Sequence, residues 1–179
     1  MVSKRKRARL SAIANRDDLR GFLEEFRRES DRATALLGAA YLDEEILQLL
    51  TDFLVDDEDE VRELISTEKP LGAFGARIRA AYCMGLIAKS DFEDLKLIKT
   101  IRNEFAHSLH GLSFDEEPIV GMCAKLQAHK RAKKSRPSSP RDAFIHTTMF
   151  ILLEFTGIMI AHENARCKTP QTRKVDIRI

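Results

Sequence analysis

Apolar positions repeat along this chain at the three- and four-residue spacings that mark one face of a helix. The clearest stripe lies in residues 91–111, where Phe92, Leu95, Ile98, Ile101 and Phe105 share one side. Ser90 is placed to cap this helix, with Glu93 three residues on to close a capping box. Asp91, Glu93 and Asp94 put negative charge in the first turn, where the helix dipole favours it. Gly111 offers a stop. Upstream, Leu19, Phe22, Leu23 and Phe26 predict a helix from about Arg16, and Ser30 or Asp31 caps a second one running to about Val55. The acidic run 56–60 reads as an exposed loop entering a short helix over 61–65. Pro70-Leu71-Gly72 is a break, and a helix follows over 74–88. Downstream, residues 115–118 open a helix carrying Ile119, Met122, Cys123 and Leu126, and the apolar stretch 143–161 predicts a long final helix.

These elements describe an all-α, single-domain bundle of about six or seven helices. Composition agrees: of 179 residues, 44% are hydrophobic, and only eight are Gly and five Pro. The organisation reads as a basic flexible arm at 1–14, a helical body at 15–163 with a basic Ser/Pro-rich linker at 129–142, and a basic tail at 164–179. The stretch 143–161 is long enough to raise the question of a membrane span. Glu154 inside it, diluted further by His146, Thr147, Thr148, Thr156 and Gly157, argues for a buried helix or an oligomer interface.

The net charge of +2 conceals an asymmetry. Residues 1–9 hold five basic side chains and no acid, residues 10–128 hold 14 basic and 24 acidic, and residues 129–179 hold 11 basic and four acidic. Nucleic acid could therefore be met through basic residues 1–9 and 129–141, mainly at phosphates, or these ends could simply be solvated. No tryptophan is present, which speaks against a base-stacking platform. Cys83, Cys123 and Cys167 are far apart and form no C-x-x-C pair, as expected of reduced thiols in a cytoplasmic protein. No metal or cofactor motif stands out: the acidic run does not follow an EF-hand pattern, and His107 and His110 have no carboxylate or cysteine at matching spacing. No helix-turn-helix pair stands out either.

Candidate chemistry is confined to Arg102-Asn103-Glu104-Phe105-Ala106-His107. A histidine titrating near neutrality can move a proton at a ribose hydroxyl, and an arginine can hold the scissile phosphate, with Asn103 orienting either. Arg102, Asn103 and His107 are thus the candidate catalytic set for metal-independent RNA cleavage. A five-residue spacing turns the pair about 140° apart on a regular helix. They share a cleft only if the helix ends or bends before His107, or if a homodimer brings in a second copy. The alternative is structural: Arg102 pairs with an acid such as Asp43 or Glu44, while Asn103 and His107 satisfy backbone groups at the helix end.

Several ordered blocks resemble the mannitol operon repressor family: Glu29-Ser30-Asp31-Arg32, Ala39-Ala40-Tyr41-Leu42-Asp43, Phe53-Leu54, Pro70 to Ile78, Ala81-Tyr82, Gly85-Leu86-Ile87, Asp94-Leu95 and Ile98 to His107. The resemblance covers roughly residues 20–125. It implies an all-helical regulator of mannitol uptake and utilisation genes, without a helix-turn-helix. Such a regulator acts through protein partners, a sugar-phosphotransferase component among them. The block Arg102 to His107 is also similar to the R-x4-H motif of HEPN domains, helical dimers that include many ribonucleases. That likeness implies Arg102 and His107 as a catalytic pair, with Asn103 as the polar residue after the arginine. The regulator is the leading expectation, and the HEPN-type ribonuclease or RNA-binding module is the alternative.

Overall fold

The computed structural model describes residues 21, 23, 24, 26–108, 111–132, 135–161 and 167. The predicted basic arm, the start of the first predicted helix, His110, His162 and nearly all of the basic tail lie outside the described residues. The described residues between 21 and 28 are helical. Seven helices follow: α1 Asp31–Phe53, α2 Glu58–Ile65, α3 Phe74–Cys83, α4 Lys89–His107, α5 Ile119–Cys123, α6 Ala128–Arg131 and α7 Pro140–Ala161. No strand occurs among the described residues. The chain is an all-α bundle, as the periodicity predicts.

Helix α4 is its centre, in contact with α1, α3, α5, α6 and α7. All five residues of its predicted stripe are buried, and Leu95, Ile98, Ile101 and Phe105 are wholly so. At its far end Phe105 meets Phe114 (4.9 Å between ring centroids), and Phe114 meets Phe144 of α7 (5.2 Å). Tilted ring pairs at these separations add to what their buried area contributes. Helix α1 packs against both α4 and α7. Its contact with α7 requires Gly38: a Cβ there would sit 3.0 Å from Phe144 and 3.1 Å from Phe26. Ser30 caps α1, accepting a hydrogen bond from the Ala33 N–H at 3.2 Å.

Three departures from the predicted pattern matter for the packing. The helix expected over 74–88 stops at Cys83 because Gly85 adopts φ of 74°. The Gly85 and Leu86 N–H groups then donate to the Tyr82 and Ala81 carbonyls, the paired closure of a Schellman turn, which glycine enters without a Cβ penalty. The capping box expected from Ser90 and Glu93 does not form. Helix α4 starts one residue before Ser90, with Ala88 at its cap and no side-chain cap bond, and Glu93 pairs with Lys89 and Lys96. Asp91 and Asp94 serve the tertiary structure. Asp94, 1% exposed, accepts from the N–H groups of Gln127 (3.0 Å) and Ala128 (2.6 Å), and Asp91 pairs with Arg131. Burial pushes the Asp94 carboxyl above its ordinary range, while those two N–H groups pull it back.

The third change concerns the predicted linker. Residues 129–131 belong to α6, with His129 buried and its ring 2.9 Å from Thr147 Oγ1 on α7. Arg131 lies over the Phe150 ring and joins Asp91 of α4 to Glu154 of α7 (2.8 Å). Glu154, the residue that argues against a membrane span, is thus half of an internal ion pair. Among the described residues no helix is long and apolar enough to cross a membrane.

Candidate functional site

Helices α1, α3 and α4 enclose an open groove of about 900 Å³. Its depth comes from small residues: Ala39 and Ala40 on α1, and Ala73, Gly75 and Ala76 at the start of α3. Leu36, Leu37 and Phe74 give it an apolar flank. Leu37 remains 38% exposed, and Tyr41, one turn further along α1, 40%, so the apolar surface continues past the rim. The rest of the lining is rich in cations, with Arg79 from α3 and Lys99 and Arg102 from α4, beside Asn103.

Gly75 has a specific part here. A Cβ at that position would lie 3.1 Å from the Lys99 ammonium and 3.4 Å from its Cδ, so the lysine runs close over the bare backbone there. Lys99 and Arg102 are three residues apart on one face of α4. Arg79 follows Gly75 by four on α3. The three cations therefore sit in one neighbourhood, contributed by two helices. Arg79 and Lys99 make no ion pair among the described residues, and Arg102 donates to the side-chain amide oxygen (Oδ1) of Asn103 at 3.0 Å. Asp43 is the one acid among the lining residues, and Arg77 neutralises it at 2.7 Å.

Arg77 is the residue that sequence reasoning missed. It is 8% exposed and donates three ways: to Asp43 Oδ1, to the Leu71 carbonyl (2.9 Å) and to the Ile65 carbonyl (3.1 Å). It thereby ties α1, the end of α2 and the connector before α3 into one corner under the groove. The expectation that Arg102 pairs with Asp43 or Glu44 is replaced by this arrangement. The available signal was position: Arg77 falls beside Ile78 on the face of α3 that also carries Phe74 and Ala81, where a charged residue has to be satisfied internally.

The structure brings Arg102 and Asn103 together in the groove, and it leaves His107 outside the lining. His107 is exposed in the last turn of α4, and the helix continues through it. The condition for Arg102 and His107 to share a face within one chain, a helix that ends or bends before the histidine, is not met. Just beyond, the Ser108 carbonyl accepts from Arg32 of α1, which closes that helix end. His146 sits between Arg27 (3.1 Å) and Ser135 (3.0 Å), a packed position, and burial lowers its pKa. No group of three or more metal-ligating side chains occurs among the described residues.

Residues 21–156 match the family model described as mannitol repressor. The chain is 24% identical over 86 residues to the mannitol operon repressors of Escherichia coli K12 and of Escherichia coli O6:H1 strain CFT073. Those alignments cover 48% of this chain and 44% of each relative, so the match spans less than half the length of the curated repressors. In three dimensions the chain resembles one in the X-ray structure of the MtlR–HPr complex from Escherichia coli. That superposition has a TM-score of 0.55 and 21% identity, and covers 79% of this chain and 95% of the other. Its identity is low enough that it speaks to the fold alone, whereas the family model spans most of the helical body, from the residues before α1 into α7. This chain belongs to the mannitol repressor family.

Proposed function

We propose that this protein is a cytoplasmic transcriptional regulator of mannitol-type uptake and utilisation genes, a repressor that works through protein contacts. One observation supports the second half of that reading: within the described part of the basic stretch 129–141, Arg131 and Arg141 are engaged by partners within the fold. Arg131 is committed to Asp91 and Glu154. Arg141 is held by Asp31 (3.0 Å), by the Arg27 and Glu29 carbonyls and by Thr34. A recognition helix needs free side chains aimed outward, and α6, the basic helix of this region, instead buries His129 and pins Arg131. Family membership supports the first half. The fold likeness to a chain of an MtlR–HPr complex supports a small phosphotransferase carrier protein of the HPr kind as partner. Homodimerisation belongs to the same reading, since the apolar rim around Leu37 and Tyr41 is open for a protein contact.

The reading is tested in two arms. Deleting the gene should raise mannitol-operon transcripts in cells grown without mannitol. Purified protein should retain the organism's own HPr-type carrier on a column and should bind operator DNA no better than unrelated DNA. Unchanged transcripts would overturn the regulatory role. Tight, sequence-selective operator binding by the protein alone would overturn action through a partner.

A further inference from the structure

The groove between α1, α3 and α4 combines features that a structural crevice does not need. Three cations line one space, and two of them, Arg79 and Lys99, make no ion pair among the described residues. Like charges held together repel, and a fold that keeps them together gains by accepting an anion. The volume, about 900 Å³, lies in the range of small-molecule sites. Arginine offers a planar fork to phosphate oxygens and lysine a mobile point charge, a pairing suited to a phosphate monoester, which carries close to two negative charges near neutrality.

The rest of the lining names the remainder of the ligand. Asp43 keeps Oδ1 on Arg77, and its other oxygen makes no hydrogen bond among the described residues. The Asn103 amide lies beside Arg102. A carboxylate oxygen and an amide are acceptors and donors for hydroxyl groups. Phe74 and Leu36 supply apolar surface for C–H groups. Because Arg77 already offsets Asp43, that carboxylate can sit near an anionic ligand without cancelling the cations.

We infer that this groove is a binding site for a small phosphorylated polyol or sugar, with Arg79, Lys99 and Arg102 taking the phosphate and Asp43 and Asn103 the hydroxyl groups. The site goes beyond the regulatory reading above and does not depend on it, since it is assigned from the groove alone. Gly75 belongs to it as the residue that leaves room for Lys99. A peptide of acidic residues would engage the same cations but brings no hydroxyl groups to Asp43 and Asn103; RNA brings both phosphate and hydroxyl groups and is separated by the titration below.

The full-length protein is titrated by calorimetry with mannitol monophosphate, glucose monophosphate, mannitol, inorganic phosphate and a short oligoribonucleotide. At least one of the two phosphorylated sugars should bind saturably and at least tenfold more tightly than inorganic phosphate, with mannitol itself silent. Arg79→Gln, Lys99→Met and Arg102→Gln should each weaken that binding tenfold or more while far-UV circular dichroism stays unchanged. Gly75→Leu, which keeps every charge but crowds Lys99, should weaken it as well. No binding of either phosphorylated sugar at millimolar concentration would overturn the assignment. So would equal affinity for inorganic phosphate, tighter binding of the oligoribonucleotide, or sugar-phosphate binding that the charge variants leave intact.

Discussion

Arg77 offers the sharpest test of how this fold is built. Replacing it with methionine keeps most of the side-chain volume but removes three donors at once. The Asp43 carboxylate and the Leu71 and Ile65 carbonyls then lose a partner. A hydrogen bond to a charged group is worth about 1.5–3 kcal/mol and a neutral one about 1 kcal/mol, while removing one partner of a fully buried pair costs about 3–5 kcal/mol. Here the arginine side chain is 9% exposed but Asp43 is 31% exposed. Water therefore recovers part of the loss on the acid, and the expected destabilisation is about 3 kcal/mol. For a chain of this length that corresponds to a fall in Tm of roughly 6–12 °C. Arg77→Lys keeps the charge but cannot span three acceptors in different directions, and should cost about 1–2 kcal/mol. Since the chain has no tryptophan, urea unfolding is best followed by far-UV circular dichroism. A double-mutant cycle with Asp43→Asn then isolates the ion pair from the two carbonyl bonds. If Arg77→Met costs under about 1 kcal/mol on this scale, or if lysine and methionine are equally damaging, the corner does not depend on the guanidinium fork.

Three further expectations bear on separate parts of the molecule. Glu45 has a buried carboxyl oxygen without a hydrogen-bond partner among the described residues, and burial, reinforced by Glu44, pushes its pKa up to about 7. The folded state then holds a proton that the unfolded chain releases, so stability falls as pH rises from about 4.5 to about 7. Glu45→Gln should flatten that slope and stabilise the protein above it by on the order of 2 kcal/mol, as read by urea midpoints across pH; an unchanged slope would place the titrating group elsewhere. Gly38→Ala should destabilise by about 1–2 kcal/mol, because the added methyl meets two rings in a packed contact and outweighs its better helix propensity. Gly157→Ala, with nothing within 4 Å of its Cβ, should stabilise by about 0.5–1 kcal/mol, and the opposite pair of signs in thermal melts would contradict the packing. Finally, RNA incubated with the protein in chelator should stay intact, with His107→Ala changing neither the fold nor the RNA. Cleavage that disappears in that variant would restore the ribonuclease alternative and require a second copy to complete its site.

Much of this protein is set by local chemistry that a linear pattern displays. The buried stripe of α4, the Ser30 cap, the break at Pro70-Leu71-Gly72 and the helical class all follow from side chains acting within a turn or two of their own position. The candidate site was only half legible. Arg102 and Asn103 stood out as a cluster, and Lys99 shares a face of α4 with Arg102, but Arg79 and Asp43 come from two other helices with no spacing rule to connect them. His107, which the motif pairs with Arg102, is carried away from the groove by the plain geometry of a helix that does not stop early.

What only tertiary structure decided is where the charges go. Asp91 and Asp94 look like residues placed for a helix dipole, and become buried anchors for the segment around Gln127 to Arg131. The basic stretch after residue 128 looks like a solvated linker, and Arg131 and Arg141 turn inward to hold helices together. Arg77 takes Asp43, the acid that the structural alternative gave to Arg102, which leaves Arg102 to the groove. A helix face is determined by the next few residues, because its hydrogen bonds are local. The partner of a charge is determined by which distant side chain burial brings within 3 Å or so, and that distance does not exist until the chain is folded.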